Sequence, residues 1–208
     1  MAHESNGRLY AKDRSAWREW LAHNHATSRG IWVVYHKGTA HRALSFDHIV
    51  DEALCFGWID SRVHSLDATQ AMLYVSPRKP KSPWSRANKQ RVARLIGAGM
   101  MTDAGLAVIE TAKADGSWTS YDAIEALIVP SDLASALAGK ATARDNFGAL
   151  TPVSKKQILW YIASAKRPVT RKKRIAHVVD ALQQNKNPLE HNARTPRDTL
   201  EVNQARKA

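Results

Sequence analysis

The densest group of residues able to do chemistry lies between Pro77 and Lys89, in the phrase Pro77-Arg-Lys-Pro-Lys-Ser-Pro-Trp-Ser85. Its prolines lower the entropy cost of holding Arg78, Lys79 and Lys81 in place. Ser82 followed by Pro83 predicts a helix start, whose free backbone N–H groups would favour an anion. Trp84 adds an aromatic face that can stack on a base or pack under a cation. Asn88 and Lys89 fall one turn further on, on the side of Trp84 or Ser85. A phosphate-bearing ligand needs such a set. The same residues also suit a plainer reading, with Trp84 in the core and Ser82 only a cap.

Two further groups stand beside this one. Trp58, Asp60 and Ser61 begin a strand directly after Gly57, where they either hold a turn or floor a pocket facing the basic loop. Lys166, Arg167, Arg171, Lys172 and Arg174 form a second basic patch around Pro168. Cations on the first turns of a helix oppose its dipole, so these are either well solvated or in contact with something anionic.

Other chemistry finds little support. His23 and His25 have no Cys or further His at metal-ligand spacing, so no metal site is expected. Cys55 lies in an apolar stripe, as an inert core thiol would. Asp51 and Glu52 are neighbours on a helix and point apart, so they do not make an acid–base pair. There is no Gly-rich phosphate loop and no nucleophile elbow. No catalytic residue and no cofactor is assigned.

Net charge is +12, and it is concentrated. Arg78–Arg94 holds seven Lys or Arg and Lys155–Arg174 holds eight, while none of the 19 acidic residues falls in either stretch. Such blocks point to an anionic partner, a phosphorylated ligand or nucleic acid, unless they are only solvated helix faces. A single cysteine fits a reducing compartment. The N-terminus shows no apolar signal region, and no apolar run is long enough to span a bilayer. A cytoplasmic location is therefore expected.

The elements that must position these groups follow from pattern. Asp13 caps a first helix bearing Trp17, Trp20 and Leu21. Ile31–His36 reads as a central strand, with a polar connection over 37–42. Ser45 or Asp47 caps a helix closed by Gly57. Trp58–Leu66 and Gln70–Ser76 make an antiparallel hairpin. A helix is predicted from Trp84 to about Ile96, then another capped by Thr102, then short helical stretches over 120–129 and 131–138. Residues 139–151 read as a connection. A helix from Ser154 stops at Pro168, and Thr170 caps the last one, with the stripe Ile175, Val178, Val179, Leu182.

The fold class is thus α+β: a small, mainly antiparallel sheet packed by helices, then an all-helical C-terminal subdomain. The expected organisation is an α+β domain over 1–130, a helical subdomain over 131–185 and a disordered tail over 186–208.

Three phrases carry a resemblance: Glu52-Ala-Leu-Cys-Phe-Gly-Trp-Ile-Asp-Ser61, the Pro77–Ser85 phrase with Asn88-Lys89 and Arg91-Val92, and Ala165-Lys-Arg-Pro-Val-Thr-Arg-Lys-Lys-Arg-Ile175. From about Trp17 to Leu182 the chain resembles the YdeI/OmpD-associated, or bacteriocin-protection, family. The resemblance implies a stress-associated bacterial protein linked to tolerance of bacteriocins and antimicrobial peptides, and by name to an outer-membrane porin. It implies no cofactor and no catalytic residue. A direct grip on cationic peptides is disfavoured by charge repulsion.

Three functions follow as expectations. The first is a non-enzymatic protein binding an anionic partner around Arg78–Lys89. The second is a nucleic-acid-binding protein using both basic blocks. The third is an enzyme on a phosphorylated or carboxylated small molecule, with Asp60 as base, Arg78 or Lys89 as anion clamp, and a pocket near Trp58 and Trp84.

Overall fold

The computed structural model describes residues 2–5, 7–38 and 44–189. Two compact units meet in sequence between Ser120 and Tyr121. The expected 37–42 connection lies outside the described residues beyond Gly38, and the expected tail lies outside them from 190.

The first unit is a five-stranded sheet with helices. Strands β1 (Ala2–Ser5) and β2 (Arg8–Ala11) precede α1 (Arg14–Asn24), β3 (Ile31–His36), α2 (Phe46–Cys55), β4 (Trp58–Ser65), β5 (Gln70–Pro77), α3 (Arg86–Gly97) and α4 (Asp103–Ala114). Strand order is β1-β2-β3-β5-β4. Only β2 and β3 run parallel, as a crossover through α1 requires; the β1–β2, β3–β5 and β4–β5 pairs are antiparallel.

Alternation along the strands gives the sheet two unlike faces. Leu9, Ile31, Val33, Tyr35, Leu73, Val75 and Trp58 point inward and join Trp17, Leu21, Ile49 and Leu54 of α1 and α2 in one core. The opposite face carries two cross-strand rows. One runs Arg8, Trp32, Tyr74, Arg62 and the other Tyr10, Val34, Met72, His64. A β-bulge between Asp60 and Arg62 sets the second half of β4. The extra residue, Ser61, shifts the alternation by one, so that Asp60 faces the helices and Arg62 the other side.

The helix caps follow side-chain chemistry. Asp13 accepts from Ala16 N, Ser45 from His48 N and Thr102 from Gly105 N. At the end of α2, Gly57 takes φ +74°, a left-handed conformation that suits glycine. The last carbonyl of α2, Cys55 O, then accepts from both Thr102 N and Thr102 Oγ1, so the end of α2 docks on the start of α4. A Cβ on Gly105 would lie 2.2 Å from that same carbonyl oxygen, which is why the position holds glycine.

The structure departs from the sequence reading at several elements. The N-terminal residues form the β1–β2 hairpin, which no apolar alternation announced; its ladder to β3 supplies the missing driving force. Helix α3 begins at Arg86 with Ser85 as cap, so Ser82 caps nothing and Pro83 and Trp84 precede the helix. In the second unit, residues 139–151 hold a helix, described next.

The second unit comprises the short α5 (Asp122–Glu125), α6 (Ser131–Ala138), α7 (Ala141–Ala149), α8 (Pro152–Ala163) and α9 (Pro168–Gln183). Helix α7 buries Ala143 and Phe147, one turn apart, although its sequence reads as a connection. Helix α9 starts at Pro168, not at Thr170, because proline suits the first helical position. Its stripe Ile175, Val178, Val179, Leu182 is buried as the spacing requires. Beyond α9 the chain folds back: His177 Nε2 lies 2.9 Å from the carbonyl of Pro188, which is buried. Among the described residues no helix is long and apolar enough to cross a membrane.

Candidate functional site

The Pro-rich loop after β5 closes over α4 and forms a cleft of about 150 Å³. Its charged walls are Arg78, Lys79 and Lys81 on the loop and Asp115 at the end of α4; Trp84, Val108 and Ala112 make the apolar part. Lys81 sits at φ +61°, a left-handed conformation that costs an L-residue roughly 1–2 kcal/mol. Its backbone N–H donates to Asp115 Oδ2 at 3.1 Å, which holds the turn. Asp115 Oδ1 accepts from Ser117 N at 2.9 Å, and hydrogen bonding by the Ser117 side chain and then its backbone, with a smaller part from Lys81 N, holds the Asp115 carboxyl below the usual carboxylate range. Both oxygens of the cleft's acid thus face backbone donors.

Arg78 is the hinge of the site. Its guanidinium lies 3.8 Å from the Trp84 ring centroid and donates to the carbonyls of Pro83 and Ser82 at 3.0 and 3.4 Å. Burial pushes Arg78 down to about 10, opposed by the charge of Asp60. Two donors here are buried and meet no acceptor: Arg78 Nε and Trp84 Nε1. A buried unpaired donor costs about 1–3 kcal/mol, so each is a place where an acceptor would be gained. Trp84 packs on Trp118 at 4.9 Å, and Lys89 Nζ lies 5.4 Å from the Trp118 ring.

The sequence-predicted residues divide at this point. Arg78, Lys79, Lys81, Ser82 and Trp84 line the cleft. Ser85 and Asn88 do not; Ser85 is the cap of α3 and Asn88, buried, gives it its N–H at 3.3 Å. Trp58, Asp60 and Ser61 are not among the lining residues either. Trp58 is in the core and donates from Nε1 to His25 O at 3.1 Å. Asp60 is buried on the inner side of the bulge, and burial raises its carboxyl above the usual range against the nearby charges of Arg91 and Arg78. The enzyme expectation required a base at the pocket, and Asp60 stands outside the cleft that Trp84 lines.

Two of the seven cations of 78–94, Arg91 and Arg94, pair with a buried acid. The sequence reads Asp51 and Glu52 as helix neighbours that point apart and make no acid–base pair. They do point apart, but each buried carboxylate is gripped by two arginines. Asp51 receives Arg91 at 2.9 Å and Arg94 at 2.8 Å; Glu52 receives Arg14 at 2.5 Å and Arg18 at 2.6 Å. Arg18 also donates to Met100 O. The two acids sit within an otherwise apolar run, Ile49-Val50-Asp51-Glu52-Ala53-Leu54, and that is the signal that buried partners must exist.

The second basic patch has a similar explanation. Arg171 meets Asp132 at 2.6 and 2.9 Å, and Arg174 donates to Tyr161 O and to Ser164 Oγ. Arg171 also reaches Ile162 O at 3.4 Å. Cations that oppose the dipole of α9 thus donate to carbonyls at the C-terminal end of α8, where positive charge is favourable. Lys166, Arg167 and Lys172 are exposed. Among the described residues no group of three or more His, Cys, Asp or Glu is placed to hold a metal ion.

Comparison with known proteins divides the chain much as the units do. Residues 126–185 match the family model described as bacteriocin-protection, YdeI or OmpD-associated. Residues 9–108, which carry the other two resembling phrases, match the model of a domain of unknown function, DUF8412. No curated protein and no solved structure matches the chain.

Proposed function

We propose that this chain, whose residues 126–185 match the bacteriocin-protection, YdeI or OmpD-associated family model, binds a small anionic ligand in the cleft between the Arg78–Ser82 loop and α4. The observation that carries this reading is the pair of buried donors without acceptors, Arg78 Nε and Trp84 Nε1, at a cleft also walled by Lys79 and Lys81. A phosphate or carboxylate supplies the acceptors those donors lack, and the lysines supply the field that attracts it. The apolar wall of Val108, Ala112 and Trp84 favours a ligand with a small apolar or flat body beside its anionic group. Any part in protection against bacteriocins would run through that ligand, in a reducing compartment that suits the free, buried Cys55.

The test is calorimetric titration with inorganic phosphate, a nucleoside monophosphate and a short-chain carboxylate. The wild-type chain should bind at least one of them, and Lys79→Glu/Lys81→Glu should weaken that binding about tenfold or more. Equal affinity in the charge-reversed variant would sink the reading.

A further inference from the structure

A second surface lies apart from the cleft, on the face of the sheet opposite α1 and α2. We infer that this face binds single-stranded nucleic acid, with bases stacked on Trp32, Tyr74 and the Arg62 guanidinium.

The row Arg8, Trp32, Tyr74, Arg62 crosses four adjacent strands and places two aromatic rings between two cations. Trp32 and Tyr74 meet edge-on at 5.2 Å, and His64 braces Trp32 from the next row at 5.2 Å. The Arg62 guanidinium lies 5.6 Å from the Trp32 ring centroid and 5.2 Å from that of Tyr74. None of these aromatics belongs to the core; Trp32 and Tyr74 are half-buried, and Arg62 and His64 are exposed. No acidic residue occurs in either cross-strand row.

Two local features build this arrangement. The bulge at Ser61 carries Arg62 to the open face; regular alternation after the inward Asp60 would have turned it toward the helices. Gly30 clears room for Tyr74, because a Cβ at position 30 would lie 2.4 Å from the Tyr74 hydroxyl.

The occupant follows from the chemistry. Flat π-faces take bases regardless of sequence, and a guanidinium plane stacks in the same way. Arg8 and Arg62 at the two ends of the row attract the phosphates between which the bases lie. A duplex hides its base faces in the stack and so offers this row only its backbone. An anionic membrane offers charge without flat faces. Single strands satisfy both halves of the surface.

The experiment uses the full chain and a fluorescein-labelled oligo(dT) of about 12 nucleotides, within the span such surfaces cover. Anisotropy is followed at several salt concentrations, beside a duplex of equal length and vesicles containing anionic lipid. Binding to the single strand should exceed binding to the duplex and weaken steeply with salt. Trp32→Ala and Arg62→Glu should each weaken it by roughly fivefold or more. Arg62 is exposed, so its variant keeps the test open if Trp32→Ala folds poorly. Lys79→Glu/Lys81→Glu, at the separate cleft, should leave it within about twofold. Equal binding to duplex, binding to vesicles alone, no binding, or loss in the lysine variant with none in Arg62→Glu would each overturn the assignment.

Discussion

Removing Arg14 and Arg18 together leaves the Glu52 carboxylate with no cation while its surroundings stay closed. Glu52 is 1% exposed, whereas the two arginines are 32% and 36% exposed. The charge left behind is therefore the buried one, and water cannot easily replace its partners. Breaking a buried pair from that side costs about 3–5 kcal/mol. At roughly 3–5 °C per kcal/mol for a unit of this size, Arg14→Ala/Arg18→Ala should melt ~10–20 °C lower. Adding Glu52→Leu removes the uncompensated charge and fills its space, so the triple variant should recover at least half of that loss. Tryptophan fluorescence reports the unit concerned, because six of the seven tryptophans precede Tyr121. A triple variant no more stable than the double would show that lost arginine packing, not a stranded charge, causes the deficit.

Three other outcomes are expected. Burial makes Asp60 hold its proton to a higher pH in the folded chain than in the unfolded one. Its contribution to stability is therefore full in acid and lost as pH rises through the folded value, so Asp60→Asn should gain on wild type as pH rises above the ordinary carboxylate range in urea titrations. Gly105→Ala would favour helix by about 1 kcal/mol on an open surface, but here its Cβ meets Cys55 O, so the net effect should be a loss of about 1–3 kcal/mol. The Tyr121 hydroxyl is buried without a partner and pushed up to about 12, so Tyr121→Phe should be neutral or stabilise by up to ~1 kcal/mol.

The fold was legible where one residue's chemistry decides local structure. Asp13, Ser45 and Thr102 cap the helices their side chains predict, and Ile31–His36 is the central strand its apolar faces demand. It was illegible where a distant partner decides. The β1 strand has one half-buried alanine and three exposed residues, and only pairing with β2 makes it a strand. Ser82-Pro83 has the local signature of a helix start, yet the Arg78 guanidinium bonds the carbonyls of Ser82 and Pro83 and stacks on Trp84, and the helix begins two residues after Trp84. The basic loop itself was legible as a candidate site. The partners of Asp51 and Glu52 were not, because the arginines that grip them lie 34 to 43 residues away in sequence. The aromatic row of the sheet was hidden for a related reason: Trp32, Arg62 and Tyr74 become neighbours only once register and bulge are known.

On the proposed function, the buried donors of the Arg78–Trp84 cleft await an anion. The most direct measurement is the indole N–H resonance of Trp84, assigned with Trp84→Phe, during titration with inorganic phosphate. A saturable shift of that resonance, absent in Lys79→Glu/Lys81→Glu while the other indole signals stay in place, is the expected result. A Trp84 signal that does not move while phosphate binds elsewhere on the chain would rule out an anion site at these donors.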